Sequence, residues 1–310
     1  MNSSFIISTI INILILFFAP FFMIGIIRKT KAFFAGKKGI SIFQPFWDFI
    51  KLFKKGQVIS KTTSKIFNIA PLIILATTIF AGLFAPMINS FSIIEIQGAF
   101  IIFSYLLGLG KFFALVSALD TGSSFEGMGA SREACFTTII EPAFFIIIAS
   151  IVALSGNSTF KNLTMILKNS EGFGFLIITL AVLALLIMLL TECSRVPVDD
   201  PATHLELTMI HEAMILDNSG IDLAFLSWSC GIKMVILASL ITNLILPVNL
   251  GVFSASLAFI GVLILISLLV GIIESAIARF RLSHIFEFIF VMSSFALIIA
   301  SLTAVKIYGV

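Results

Sequence analysis

Eight apolar runs, each long enough to cross a bilayer, dominate this chain. They cover approximately residues 5–27, 68–88, 98–119, 133–154, 172–191, 222–246, 251–273 and 285–306. A helix needs roughly 20 apolar residues to span the hydrocarbon core. Only helices and closed barrels satisfy their backbone groups there. A membrane barrel would show strict alternation of polar and apolar residues, and this sequence does not. The composition agrees: 59% of residues are hydrophobic and 11% charged, against about 25% charged in soluble proteins. No composition shift divides the chain. The expectation is an all-α polytopic transmembrane bundle of about eight spans, forming a single integral membrane domain over residues 1–310.

Orientation follows from the basic residues. Segment 28–67 holds ten Lys and Arg, and the third, fifth and seventh connections add Arg132, Arg195, Arg279 and Arg281. The other side carries Lys161, Lys168 and Lys306, a split of 14 to 3. The positive-inside rule places the basic side in the cytoplasm and both termini outside, in a prokaryotic cytoplasmic membrane. The N-terminus lacks a basic n-region and a small-residue cleavage site, so the first helix is expected to be retained. Within the first connection, residues 41–55 place Ile42, Phe43, Phe46, Phe49, Ile50 and Phe53 at helical spacing. This predicts an amphipathic helix in the interface, with Trp47, Lys51, Lys54 and Lys55 at the membrane surface. An ordinary surface helix without further function has the same pattern.

Chemistry concentrates in the fifth connection, the acidic and histidine-bearing loop 191–222. Asp200 followed by Pro201 predicts a helix start, with helix from Pro201 to about Asp217. His204, Thr208 and His211 would share one face. His211-Glu212 begins a zinc-protease pattern, but Ile215 stands where its second histidine belongs. His204 and His211 lie two turns apart, about 10 Å by helical rise, too far to share one ion. Cys135, Cys193 and Cys230 form no CxxC pair, which argues against zinc or iron–sulfur ligation and for small apolar fillers. No metal site is expected. The leucines, isoleucines and methionines of loop 191–222 are too many for a free loop, which points to a re-entrant or docking helix. The third connection, Asp120 to Glu133, is rich in Gly and Ser and is read as a tight turn pressed against other protein. It lacks the lysine and strand of a phosphate-binding loop, which argues against nucleotide binding; no nucleic-acid partner is expected either.

Lys111, Glu141, Lys233 and Glu287 fall within or near spans, where each would cost roughly 2.5–3.5 kcal/mol unless paired or wetted. Glu141, followed by Pro142, is read as a proton-path carboxylate. The alternative is a structural ion pair with Lys111.

The runs SRVPVDDPATHLELTMIHEAM, DTGSSFEGMGASRE and Glu141-Pro142, with QPFWDFIKLFKK and ESAIARFRLS, resemble one family closely. It is the membrane subunit of energy-converting (group 4) [NiFe]-hydrogenases, of the formate hydrogenlyase subunit 4 or hydrogenase-4 component C type. Proteins of that type are related to the quinone-site membrane subunit of respiratory complex I, known as subunit 1. The resemblance runs along the whole chain, with departures. Lys37-Lys38-Gly39-Ile40 stands where Arg-Arg-Gly-Pro is expected, and Asp200 stands where Asn is expected.

The resemblance implies a non-catalytic subunit that anchors a soluble arm and couples electron transfer to proton or sodium movement. Its partners would be the hydrogenase large and small subunits, an iron–sulfur protein subunit and antiporter-like membrane subunits. No cofactor is expected on this chain; the nickel–iron centre and iron–sulfur clusters belong to the partners. For the proton path and coupling, the candidates are Lys111, Glu141, Glu192, Asp200, His204, Glu206, His211 and Glu212. Arg132, Arg195, Arg279 and Arg281 are the docking candidates. A quinone-site subunit of a complex I-like dehydrogenase and a stand-alone secondary transporter are the alternatives. No internal repeat of the kind many transporters show is evident.

Overall fold

A computed structural model describes residues 3–155, 159–160, 172–200, 210–246 and 251–308. Its helices are α1 (Ser3–Phe34), α2 (Gln44–Phe53), α3 (Lys65–Phe84), α4 (Ala99–Asp120), α5 (Ser124–Ser155), α6 (Phe173–Glu192), α7 (His211–Met214), α8 (Gly220–Ile245), α9 (Val252–Ala276) and α10 (Leu282–Tyr308). Eight of them, all but α2 and α7, are long and apolar enough to cross a membrane. The chain is a multi-pass helical membrane protein.

Helix α8 is the axis. Every residue from Met234 to Leu244 is buried, and α8 touches α1, α2, α3, α6 and α9. Helix α10 closes the far side against α5 and α6, and α4 lies between α3 and α5. Small residues set these approaches, because lipid offers no hydrophobic drive between helices and close van der Waals contact must supply it. A Cβ at Gly231 would lie 2.9 Å from Pro20 Cβ, so α1 and α8 cross there almost backbone to backbone. Next to that crossing Pro20 interrupts the bonding of α1, and Trp228 Nε1 donates to the Phe17 carbonyl at 3.3 Å.

The connections are tied at the basic end of the bundle. Ser64 caps α3, its hydroxyl accepting from Ile66 N, while its own N–H donates to Asp120 Oδ2 at 2.7 Å. The end of the first connection docks on the α7–α8 corner. Val58 N donates to Ser219 Oγ, and Ser219 Oγ donates to Val58 O. Gln57 bonds Asp222 beside them.

The structure moves several expected boundaries. Helix α1 runs to Phe34, not 27, because its polar last turns remain helical until Gly36 takes a φ of +67°. The expected turn Asp120–Glu133 is broken only at residues 121–123, and α5 is helical from Ser124. Gly129 serves packing: a Cβ there would lie 2.8 Å from the Ile210 carbonyl. The surface helix is shorter than 41–55, starting at Gln44 with Pro45 in its first turn and ending at Phe53. The helix expected to run to Asp217 stops at Met214 in a one-turn α7, and the part of it over 201–209 lies outside the described residues.

Candidate functional site

Four ionisable side chains from four helices meet inside the bundle. Lys111 projects from α4, Glu133 and Thr137 from the third and fourth turns of α5, Glu192 is the last residue of α6, and Lys233 comes from α8. Lys111 Nζ donates to Glu192 Oε1 at 2.5 Å and to Thr137 Oγ1 at 2.9 Å, and lies 3.3 Å from Glu133 Oε1. The other Glu192 oxygen accepts from Lys233 Nζ at 3.4 Å. Glu192 is thus a carboxylate bridging two ammonium groups, with 6% of its side chain exposed. Two acids and two bases balance, which is the condition for keeping charge in a low-dielectric interior.

The cluster lines a cavity of about 60 Å³, room for a few water molecules between polar partners. Ser117, His211, Asn218, Ser229 and Cys230 also line it. His211 therefore reaches the wall of the same cavity from the α7 side. Glu141 lies two turns beyond Glu133, on the same α5 face as Glu133 and Thr137, at four-residue intervals. It is half-buried, and a Cβ at Gly108 would lie 3.7 Å from its Oε1. Lys111, Glu192, Lys233 and Glu133 are its charged neighbours. The alternative reading of Glu141 as the ion-pair partner of Lys111 gives way: Lys111 reaches Glu133 and Glu192 instead.

A second network sits where α1, α6 and α9 end. Glu274 of α9, its side chain 1% exposed, lies 3.5 Å from Arg195 Nη1 and 3.3 Å from Lys31 Nζ. Lys31 also reaches Asp200 Oδ1 at 3.4 Å. Arg279 Nη2 lies 2.7 Å from Asp199 Oδ1. Asp199 Oδ2 accepts from Ile210 N at 3.2 Å and His211 N at 3.0 Å, and Oδ1 accepts from Asp200 N at 3.0 Å. One buried carboxylate therefore caps α7 and ties residue 199 to residues 210 and 211. Burial pushes the Asp199 carboxyl above its usual range, with Arg279 and the three N–H groups pulling against that shift.

The remaining candidates scatter. His204 and Glu206 lie outside the described residues. Glu212 is half-buried on α7, and Arg281 is exposed. Arg132 Nη2 rests 3.4 Å from Met128 Sδ one turn back. Glu287 stands apart from the buried cluster, in the second turn of α10: 73% of its side chain is exposed, beside His284 Nδ1 at 3.0 Å. Trp47, Lys51, Lys54 and Lys55 are exposed on and just after α2 or along its outer face. Sequence reasoning did not single out Glu133, Glu274, Asp199 or Lys31. The four-residue spacing of Glu133, Thr137 and Glu141 was the available signal for the first. Cys193 and Cys230, though they form no CxxC pair, meet in the fold: Cys230 Sγ lies 3.8 Å from the Cys193 carbonyl.

A family model described as NADH dehydrogenase matches residues 7–305. The chain belongs to the NADH dehydrogenase family. Over 279 residues it is 29% identical to hydrogenase-4 component C of Escherichia coli (strain K12), covering 87% of this chain and 86% of that one. Formate hydrogenlyase subunit 4 of the same organism is 24% identical over 280 residues, covering 88% and 90%. NADH-ubiquinone oxidoreductase chain 1 of Trichosurus vulpecula is 30% identical over 204 residues, covering 63% and 62%. A chain of the membrane-bound sulfane sulfur reductase, an archaeal respiratory membrane complex, has the same fold. Its TM-score is 0.81 at 20% identity, over 96% of this chain and 99% of that one. This NADH dehydrogenase family member is a complex I-like membrane subunit, and the resemblance drawn from its motifs holds.

Proposed function

We propose that this chain is the membrane-anchoring and coupling subunit of a multisubunit energy-converting [NiFe]-hydrogenase, of the formate hydrogenlyase type. It joins a soluble arm to proton or sodium translocation. The partners in this reading are the hydrogenase large and small subunits, an iron–sulfur protein subunit and antiporter-like membrane subunits. The nickel–iron centre and iron–sulfur clusters belong to those partners, and this chain handles charge, not electrons. It lies in the prokaryotic cytoplasmic membrane with its basic end inside and both termini outside, a reading that the distribution of Lys and Arg supports.

One observation carries the reading: Glu192 bridges Lys111 and Lys233 on the wall of a cavity that His211 also lines. A charge change on the docked arm acts first at the basic end, through Asp200, His211 and Glu212, with Arg132, Arg195, Arg279 and Arg281 as the docking group. A proton reaching Glu192 neutralises it and leaves two buried ammonium groups facing each other, which the site resists. The response is proton transfer onward along the Glu133–Glu141 face of α5. Among the described residues no cation is ion-paired to Glu141, and it stands as the group that changes charge.

The test is Glu141→Gln in the intact complex reconstituted in vesicles, with hydrogen evolution and ion movement measured together. The variant should assemble and lose ion movement per hydrogen formed, and normal coupling would sink the proposal. The quinone-site alternative has its own observation: a cavity of about 150 Å³ between α1, α2 and α8, lined by Arg28, Asp48 and Trp228. Turnover that requires quinone and is stopped by quinone-site blockers would favour that branch.

A further inference from the structure

Two apolar grooves flank one ridge on α1. The larger, about 430 Å³, runs between α1 and α9, with Leu14 and Ile26 on one wall and Ile260 and Ile264 on the other. The smaller, about 190 Å³, lies between α1 and the approach to α2, under Ile42, Phe43 and Phe46. Phe18 and Phe22 line both grooves and are 47% and 41% exposed between them. The linings carry almost no polar surface. Ser267 is their one hydroxyl, and it donates to the Leu263 carbonyl in its own helix.

The basic end of this ridge is built by a chain reversal. The α1 stripe Ile11, Ile15, Phe18, Phe22 and Ile26 continues at helical spacing to Lys29. At Gly36 the chain turns, and Lys37 N donates to the Ala32 carbonyl at 2.8 Å. The return then lies along α1. A Cβ at Gly39 would come 2.8 Å from Ala32 Cβ and 3.8 Å from Lys29 Cγ, and one at Gly25 would overlap the Ile42 carbonyl. This return brings Lys37 and Lys38 to the end of α1 where Lys29 emerges. All three lysines are exposed, and none forms an ion pair among the described residues.

We propose that an anionic membrane phospholipid sits astride the Phe18–Phe22 ridge, one acyl chain in each groove and its phosphate held by Lys29, Lys37 and Lys38. The two grooves, divided by one ridge and sharing one basic end, fit a two-tailed amphiphile better than a single-chain one. Because acyl chains gain little by moving from bilayer to protein, selectivity comes from the lysines and from the fit to the ridge. The bound lipid would brace the segment that holds α2 against α1. This assignment does not depend on the hydrogenase reading.

The test uses the full-length protein in its complex, purified in mild detergent from vesicles of equimolar phosphatidylglycerol and phosphatidylethanolamine, with retained lipid counted by native mass spectrometry. Phosphatidylglycerol should be retained preferentially. Lys29→Gln, Lys37→Gln and Lys38→Gln should each lower its occupancy about fivefold, from the roughly 1 kcal/mol that a lysine contributes near an anionic surface. Ile264→Trp fills the larger groove without touching a lysine and should also expel the lipid. Lys51→Gln with Lys54→Gln, on α2 and at its end, should leave occupancy unchanged. Equal retention of the two lipids, indifference to Ile264→Trp, or equal loss in the α2 control would each overturn the assignment.

Discussion

The Glu192 cluster and the Asp199–Glu274 network are both made of buried carboxylates matched to Lys and Arg, yet they are built for different work. Glu192 shares its charge between two lysines beside a small cavity, and both lysines sit on long flexible stems. Asp199 is held by Arg279 and three backbone N–H groups, and Glu274 by Arg195 and Lys31. Backbone donors cannot swing away, and a planar guanidinium fixes direction as well as charge. The first arrangement can rearrange when a proton arrives, whereas the second resists rearrangement and holds residue 199 beside residues 210 and 211. Charge alone does not separate a relay from a clamp; the identity of the donors and the space around them do.

The sharpest break in that comparison is Glu192→Gln. It leaves Lys111 and Lys233 without their shared carboxylate, and removing one partner of a buried pair costs about 3–5 kcal/mol. The variant should melt earlier in detergent and assemble poorly. Adding Lys111→Met should recover part of that loss, because the orphaned charge goes with it. Glu141→Gln should differ in kind, with little change in melting and a failure of ion movement. Asp199→Asn should weaken the clamp by about 1–3 kcal/mol, the range for a spoiled buried hydrogen-bonding group. The readout is faster proteolysis between residues 199 and 210 at unchanged ion movement per hydrogen. Equal effects of Asp199→Asn and Glu141→Gln on coupling would erase the distinction. The smallest effect should come from Lys51→Gln with Lys54→Gln, a slight loss of stability seen only in vesicles rich in anionic lipid.

The membrane helices were legible because a hydrophobic run of fixed length is a one-dimensional signal. Gly-rich DTGSSFEGMGASRE misled for a local reason. Glycine and serine usually mark a turn, but here Gly129 is small so that the chain at Ile210 can press against α5. No local pattern records that neighbour. Lys111 was marked as costly in a membrane and therefore in need of a partner, but which partner it would take was not written locally. Lys111 and Glu192 are 81 residues apart, and Glu141, the nearer candidate in sequence, was not chosen. The same holds for Asp199, two of whose N–H donors come from residues 210 and 211.

The sequence by itself determined the solvent, the number of spans, the surface helix and the family, because each rests on composition, periodicity or a contiguous motif. Only the tertiary structure decided which charges neutralise one another, which carboxylate faces a cavity and which closes a loop. Those outcomes depend on helix crossings set by small residues, and the energy of a buried charge is fixed by what lies within a few ångströms in space, not by its neighbours along the chain.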